Sequence, residues 1–238
     1  MMLALTLALT PAAAAAQEPW ETFETRQLSE QFFSEGACGA DFDGDGHGDV
    51  NSGPYIYFGP EFSAWVRIYA QEPYDVQGYS DHFFSFAYDF DGDGDQDLLR
   101  IGFPGARAEW YENPGAENIR VAGAAHWNRF VVFEGVDNES PTFADVNGDG
   151  RPELICMHGG RLGYALWDPQ QPGKRWQFVP ISAEGMGGRF THGLGYGDIN
   201  GDGLTDLIMK QGWWEQPAII DGPGEWPFPP HAFAGRGA

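Results

Sequence analysis

The chain has 238 residues, 42% of them apolar and 15% aromatic, which is enough for a packed core and excludes a disordered chain. Its formal charge is −22, with 35 acidic against 13 basic residues. That balance excludes nucleic acid and anionic membranes as partners, because both require basic patches. The 34 glycines and 17 prolines, with no long helical period, point to many short strands joined by tight turns.

Residues 1–16 form an apolar run with small residues at Ala14 and Ala16, suited to signal-peptide cleavage before Gln17. The run lacks a basic start and is short for a membrane span. The expectation is a cleaved signal over 1–16, a repeat region over 17–238, and no membrane insertion after cleavage. The protein would then be secreted, periplasmic or held at the cell surface.

An acidic nonapeptide then occurs four times. It spans Asp41–Asp49, Asp89–Asp97, Asp145–Glu153 and Asp198–Asp206, and its starts are 48, 56 and 53 residues apart. These four stretches hold 15 of the 35 acidic residues. Each is preceded by a short apolar or small-residue run (36–40, 83–88, 141–144, 193–197) and followed by a β-type run (50–58, 98–101, 154–157, 207–209). The nonapeptide is therefore read as a turn between two strands. An aromatic segment follows each time (55–60, 109–114, 164–169, 213–217) and closes on Pro, which stops a strand. A fourth strand is expected at 65–69, 127–133 and 176–181, with 23–28 filling the same slot ahead of the first repeat.

Four short strands per roughly 50 residues is the signature of a β-propeller blade. The fold class is therefore all-β, a propeller of four-stranded antiparallel blades. Residues 225–233 read as the outer strand of a partial blade, so four to five blades of a larger ring are expected. Cys38 and Cys156 read as small buried residues. A disulfide between them stays open as an alternative in an oxidising compartment.

The chemistry of the nonapeptide follows from its alternation. Positions 1, 3, 5 and 9 carry Asp41, Asp43, Asp45 and Asp49, then Asp89, Asp91, Asp93 and Asp97. The third copy has Asp145, Asn147, Asp149 and Glu153, and the fourth Asp198, Asn200, Asp202 and Asp206. Oxygen donors at alternate positions of a tight loop suit a hard cation of Ca²⁺ size, and Gly at positions 4 and 6 permits the turns that fold them inward. An EF-hand is excluded, since its twelfth position would fall on Ser52, Arg100, Cys156 and Met209 rather than Glu. Up to four structural Ca²⁺ ions are expected, cancelling carboxylate repulsion at each hairpin.

On these motifs, residues 34–217 resemble the FG-GAP or VCBS type of calcium-binding propeller repeat, as in integrin α-chain heads and many secreted bacterial proteins. The resemblance implies calcium in the turn between the first and second strands of each blade. The family spans adhesion, ligand binding and some sugar-active enzymes, so it does not fix function.

Differences between repeats are where activity should lie. Positions six or seven before each motif fall at the rim opposite the loops: Ser34/Glu35, His82/Phe83, Asn138/Glu139 and Thr191/His192. The second strands return Arg100, His158 and Lys210 to that rim. His192, Glu139 and His82 are candidate acid–base residues, and Arg100, His158 and Lys210 candidate ligand contacts. Trp110, Trp167, Trp213 and Trp214 read as inter-blade packing before sugar stacking. No phosphate loop, nucleophile elbow or zinc cluster is present. The leading expectation is a module binding a carbohydrate or an extracellular protein. The alternative is a carbohydrate lyase or dehydratase, since Thr191–Gly195 and Trp213–Pro217 resemble the propeller part of aldos-2-ulose dehydratase-like proteins.

Overall fold

Each acidic nonapeptide sits at a hairpin turn, and the strands on either side set the architecture. The computed structural model describes residues 24–121, 126–220 and 222–235. The expected signal segment lies outside them. The first sheet comprises β1 (Ala37–Ala40), β2 (Asp49–Ser52), β3 (Tyr55–Phe58) and β4 (Ala64–Arg67). The second comprises β5 (Phe84–Tyr88), β6 (Asp97–Ile101), β7 (Ala106–Glu112) and β8 (Asn128–Val136), with a one-turn helix α1 (Ala116–Ile119) between its last two strands. The third holds β9 (Thr142–Ala144), β10 (Glu153–His158), β11 (Arg161–Leu166) and β12 (Gln177–Pro180). The fourth holds β13 (Gly195–Gly197), β14 (Asp206–Met209) and β15 (Gly212–Trp214).

In every sheet the strands are antiparallel and lie in chain order, the meander expected of propeller blades. The first strand pairs with the second across the acidic loop in each, as in Ala40 opposite Asp49 and Tyr88 opposite Asp97. Among the described residues, no helix is long and apolar enough to cross a membrane.

Two expected strands take another form. Residues 24–29 are irregular and fill no fourth-strand slot. Residues 225–233 do run along the open edge of β15, through Glu215 N–H to Pro227 O (2.9 Å) and His231 N–H to Gln211 O (3.3 Å), with a single bridge between Gly212 and Pro230. Pro227, Pro229 and Pro230 have no N–H to donate, so the ladder cannot continue. Phe228 still stacks on Trp214 with centroids 4.6 Å apart.

The core is three inter-sheet clusters, and the period of two along each strand builds them. In β6, Leu98 enters the cluster against the first sheet, with Phe42, Ile56 and Ile68, while Leu99 enters the cluster against the third, with Phe90, Trp110 and Trp176. In β10, Leu154 and Cys156 face the second sheet, and Ile155 and Met157 face the fourth with Leu207 and Trp214. Fully burying one such Leu contributes about 1.5–3 kcal/mol. Trp110, Trp176 and Trp214 are buried in these clusters. Cys38 and Cys156 are both free thiols in different sheets, and burial pushes the Cys38 thiol up to about 11. Near the loop-free rim, the chain leading into β1 comes so close to that leading into β5 that a Cβ on Gly36 would lie 2.7 Å from Phe83 O.

Candidate functional site

The four acidic loops share one hydrogen-bonding plan. The position-1 carboxylate caps the turn, as when Asp89 accepts from the N–H groups of Gly92, Asp93 and Gly94 (2.8–3.1 Å) and Asp198 from those of Gly201, Asp202 and Gly203 (2.7–3.1 Å). Positions 3 and 5 each accept from the N–H two residues on, as in Asp91 with Asp93 and Asp93 with Asp95. Gly at positions 4 and 6 has positive φ in all four copies, from 69° to 97°.

Position 9 does something the sequence alone did not reveal. Its carboxylate is buried in every copy. Asp97 accepts from Phe90 N–H (3.1 Å) across the loop and from Asn113 N–H (2.8 Å) just past β7. Asp49 does the same with Phe42 and Gly59, and Asp206 with Ile199 and Gln216. One side chain thus ties the loop to the third strand. The longer Glu153 accepts instead from Val146 N–H and the Asn147 amide.

Two carboxylate triads, Asp41–Asp43–Asp49 and Asp89–Asp91–Asp97, bring oxygens within 4.8 Å of one another and could hold a metal ion. The donor chemistry fits a cation. Burial pushes Asp97 up to about 7 and Glu153 up to about 7, and burial likewise raises Asp49 and Asp91. These are carboxylates short of positive charge. Each used oxygen retains a second lone pair for a metal. The third and fourth loops carry an amide, Asn147 or Asn200, where the first two have Asp. The first loop differs again. Arg120, just after α1, forms ion pairs with Asp43 and with Asp45 (3.2 Å) and lies over the Phe58 ring at 4.1 Å.

The opposite rim is built by the connections between sheets. Residues 137–139 leave β8, and residues 182–194 link β12 to β13. The two segments pair through Glu139 N–H to Thr191 O (2.9 Å) and Phe190 N–H to Asp137 O (3.0 Å). This brings Glu139 Oε2 to 2.8 Å from His192 Nε2. His192 lies in the wall of an open cleft of about 680 Å³ that Met186, Phe190, Thr191, Lys210 and Gln211 also line.

The other predicted residues are distributed differently. His82, expected at the mouth, is 1% exposed, with Nδ1 2.9 Å from the Tyr69 hydroxyl. Burial first, then the nearby Arg100 charge, lowers its pKa to about 3. Arg100 is also buried, its guanidinium bonded to Glu109 (3.0 Å), Tyr111 (3.3 Å) and the Asp81 carbonyl. His158 donates its Nδ1–H to Gly135 O (2.7 Å) and packs between Phe133 and Phe178. Lys210 is exposed at the cleft. Glu35, the first repeat's counterpart of Glu139, is bound to Ser80 rather than to a histidine.

Sequence reasoning missed Tyr79, Phe103, Arg189 and Phe190, which gather on this same rim. They lie in linkers and turns with no period, and no local motif marks them.

Hairpin loops of this construction on successive antiparallel blades define a propeller built from acidic-loop repeats. The chain belongs to the FG-GAP-like repeat family, whose model matches residues 89–156 and 145–209. No curated protein matches it. Among solved structures it is similar to an Agrocybe aegerita lectin, described by its specific recognition of non-reducing terminal N-acetylglucosamine, at 20% identity and a TM-score of 0.48. The similarity covers 80% of this chain and 50% of the lectin, so the chain spans about half the length of that structure.

Proposed function

We propose that the protein is an exported, calcium-stabilised propeller module that binds a carbohydrate or an extracellular protein at the rim opposite its acidic loops. The observation that carries this reading is the Glu139–His192 pair, 2.8 Å apart, beside an open cleft with the Lys210 ammonium. A paired carboxylate and imidazole offer both acceptors and donors to hydroxyl or amide groups, and the pairing fixes the imidazole in place. Calcium is the ion of choice for the acidic loops because every donor is an oxygen, and alternate oxygen donors on one tight loop suit a hard cation of its size. Up to four ions would be held, with the Asn147 and Asn200 amides replacing one carboxylate in the last two.

A second reading, a carbohydrate lyase or dehydratase, rests on the same pair, since an imidazole backed by a carboxylate is a general base. His82 is withheld from that role by its burial. One experiment separates the readings. Titrating an oligosaccharide panel by calorimetry should give binding that His192→Ala and Glu139→Gln weaken by at least tenfold, with no product on prolonged incubation. Release of an unsaturated sugar by the wild type, lost in His192→Ala, would establish the enzyme instead. Unchanged affinity in both variants would remove the site.

A further inference from the structure

Tyr79 and Phe190 are 69% and 47% exposed, and Phe103 lies between them, with ring centroids 5.5 Å from Tyr79 and 5.7 Å from Phe190. Phe83 supports Phe103 from beneath at 5.1 Å. Single exposed apolar residues are ordinary on a protein surface, whereas contiguous large ones mark a binding surface, and these rings are contiguous. Phe190 also holds φ at 67°, a left-handed conformation that is unfavourable for a bulky residue. Such strain persists where the surroundings impose it, and here the Phe190 N–H bond to Asp137 O does so.

Charge points the same way. The Arg189 guanidinium lies over both Phe103 (5.5 Å) and Phe190 (5.3 Å), steadied by its Nε–H bond to Pro104 O. On the other flank, Phe190 lines the cleft that holds Lys210 and His192. Neither Arg189 nor Lys210 meets a carboxylate among the described residues, although acidic residues outnumber basic ones 35 to 13 in the chain. Two cations left unpaired beside a strained, exposed ring, in so acidic a protein, make a local site for an anion with an apolar face.

We infer that the Tyr79–Phe103–Phe190 surface, flanked by Arg189 and Lys210, is a binding platform for an anionic saccharide. One pyranose face stacks on Phe190, and its carboxylate or sulfate meets the guanidinium or the ammonium. This inference rests on the rim-binding reading above and names the ligand class for it. A flat aromatic face takes the C–H face of a pyranose, and a guanidinium gives two parallel donors to a carboxylate or sulfate.

The test compares tri-galacturonate with the neutral galactose trisaccharide, by calorimetry at low and moderate salt. The charged sugar should bind at least tenfold more tightly, with an affinity that falls as salt rises. Phe190→Gly should lose at least tenfold while melting at or above the wild-type temperature, because glycine relieves the positive φ. Arg189→Gln and Lys210→Gln should each weaken the charged sugar and leave the neutral one unaffected. Equal affinity for both sugars, or full binding by Phe190→Gly, would overturn the platform. Neutral-sugar binding that survives Phe190→Gly but is lost in His192→Ala would overturn it too, while sparing the rim-binding reading. Binding of neither sugar would overturn the platform and the carbohydrate reading together.

Discussion

A histidine at a rim position reads, on paper, as a functional group. His82 shows what burial does to that reading. Its imidazole is neutral in the folded chain, with a pKa lowered to about 3 by burial, against about 6.5 when unfolded. Below pH 6.5 the unfolded chain takes up a proton that the folded chain refuses, so stability falls with falling pH, by about 1.4 kcal/mol per unit, until the folded group titrates near 3. Urea melts at pH 7 and pH 5 should show a smaller acid loss in His82→Gln than in the wild type; equal losses would place the acid sensitivity elsewhere. His192, six residues ahead of its own acidic loop as His82 is seven ahead of its own, lies exposed beside Glu139 because its linker pairs with residues 137–139. Nothing in a string of letters distinguishes a histidine whose neighbour is a tyrosine thirteen residues back from one whose neighbour is a carboxylate a whole blade's worth of chain away.

At the scale of the loop and the strand, the sequence was far more legible. The alternating acidic positions, the two glycines and the apolar runs on either side placed the hairpins of all four sheets within a residue or two, because local turn chemistry and a period of two determine them. The outer strands were less so. Residues 225–233 carry the aromatic pattern of a strand, but three prolines leave it with one bridge. Arg120 was invisible as a loop component, since it comes from the neighbouring sheet's connection. Its guanidinium occupies the Asp43 and Asp45 carboxylates that a bound metal would use. Arg120→Gln should therefore raise the calcium affinity of the first loop, on the order of three- to tenfold, as an ion pair of this exposure contributes about 1 kcal/mol. Terbium luminescence, sensitised by nearby tryptophan, would follow it; an unchanged titration would mean the arginine stands clear when the ion enters.

For the whole molecule, the metal is predicted to act through stability rather than chemistry. Binding only to the folded state adds RT ln(1 + [L]/Kd) per site, about 2.7 kcal/mol at a hundredfold excess over Kd. EDTA should lower the melting temperature by several degrees, and added calcium should restore it; a melt indifferent to both would remove the structural-ion reading. Asp97→Asn should lose part of the EDTA response and also some metal-free stability, because that carboxylate accepts from both Phe90 and Asn113. Comparing Asp97→Asn with Asp93→Asn, whose side chain bonds only within its own loop, separates the two effects.

The alternation within β6 and β10 has a further consequence. Neighbouring residues such as Leu98 and Leu99, or Ile155 and Cys156, belong to different cores. Damage in this protein is therefore directional. A cavity at Leu98 loosens the seam with the first sheet and leaves the next seam intact, and one at Leu99 does the reverse. Two adjacent letters answer to two separate neighbours, so a variant's effect depends on the parity of its position as much as on its chemistry.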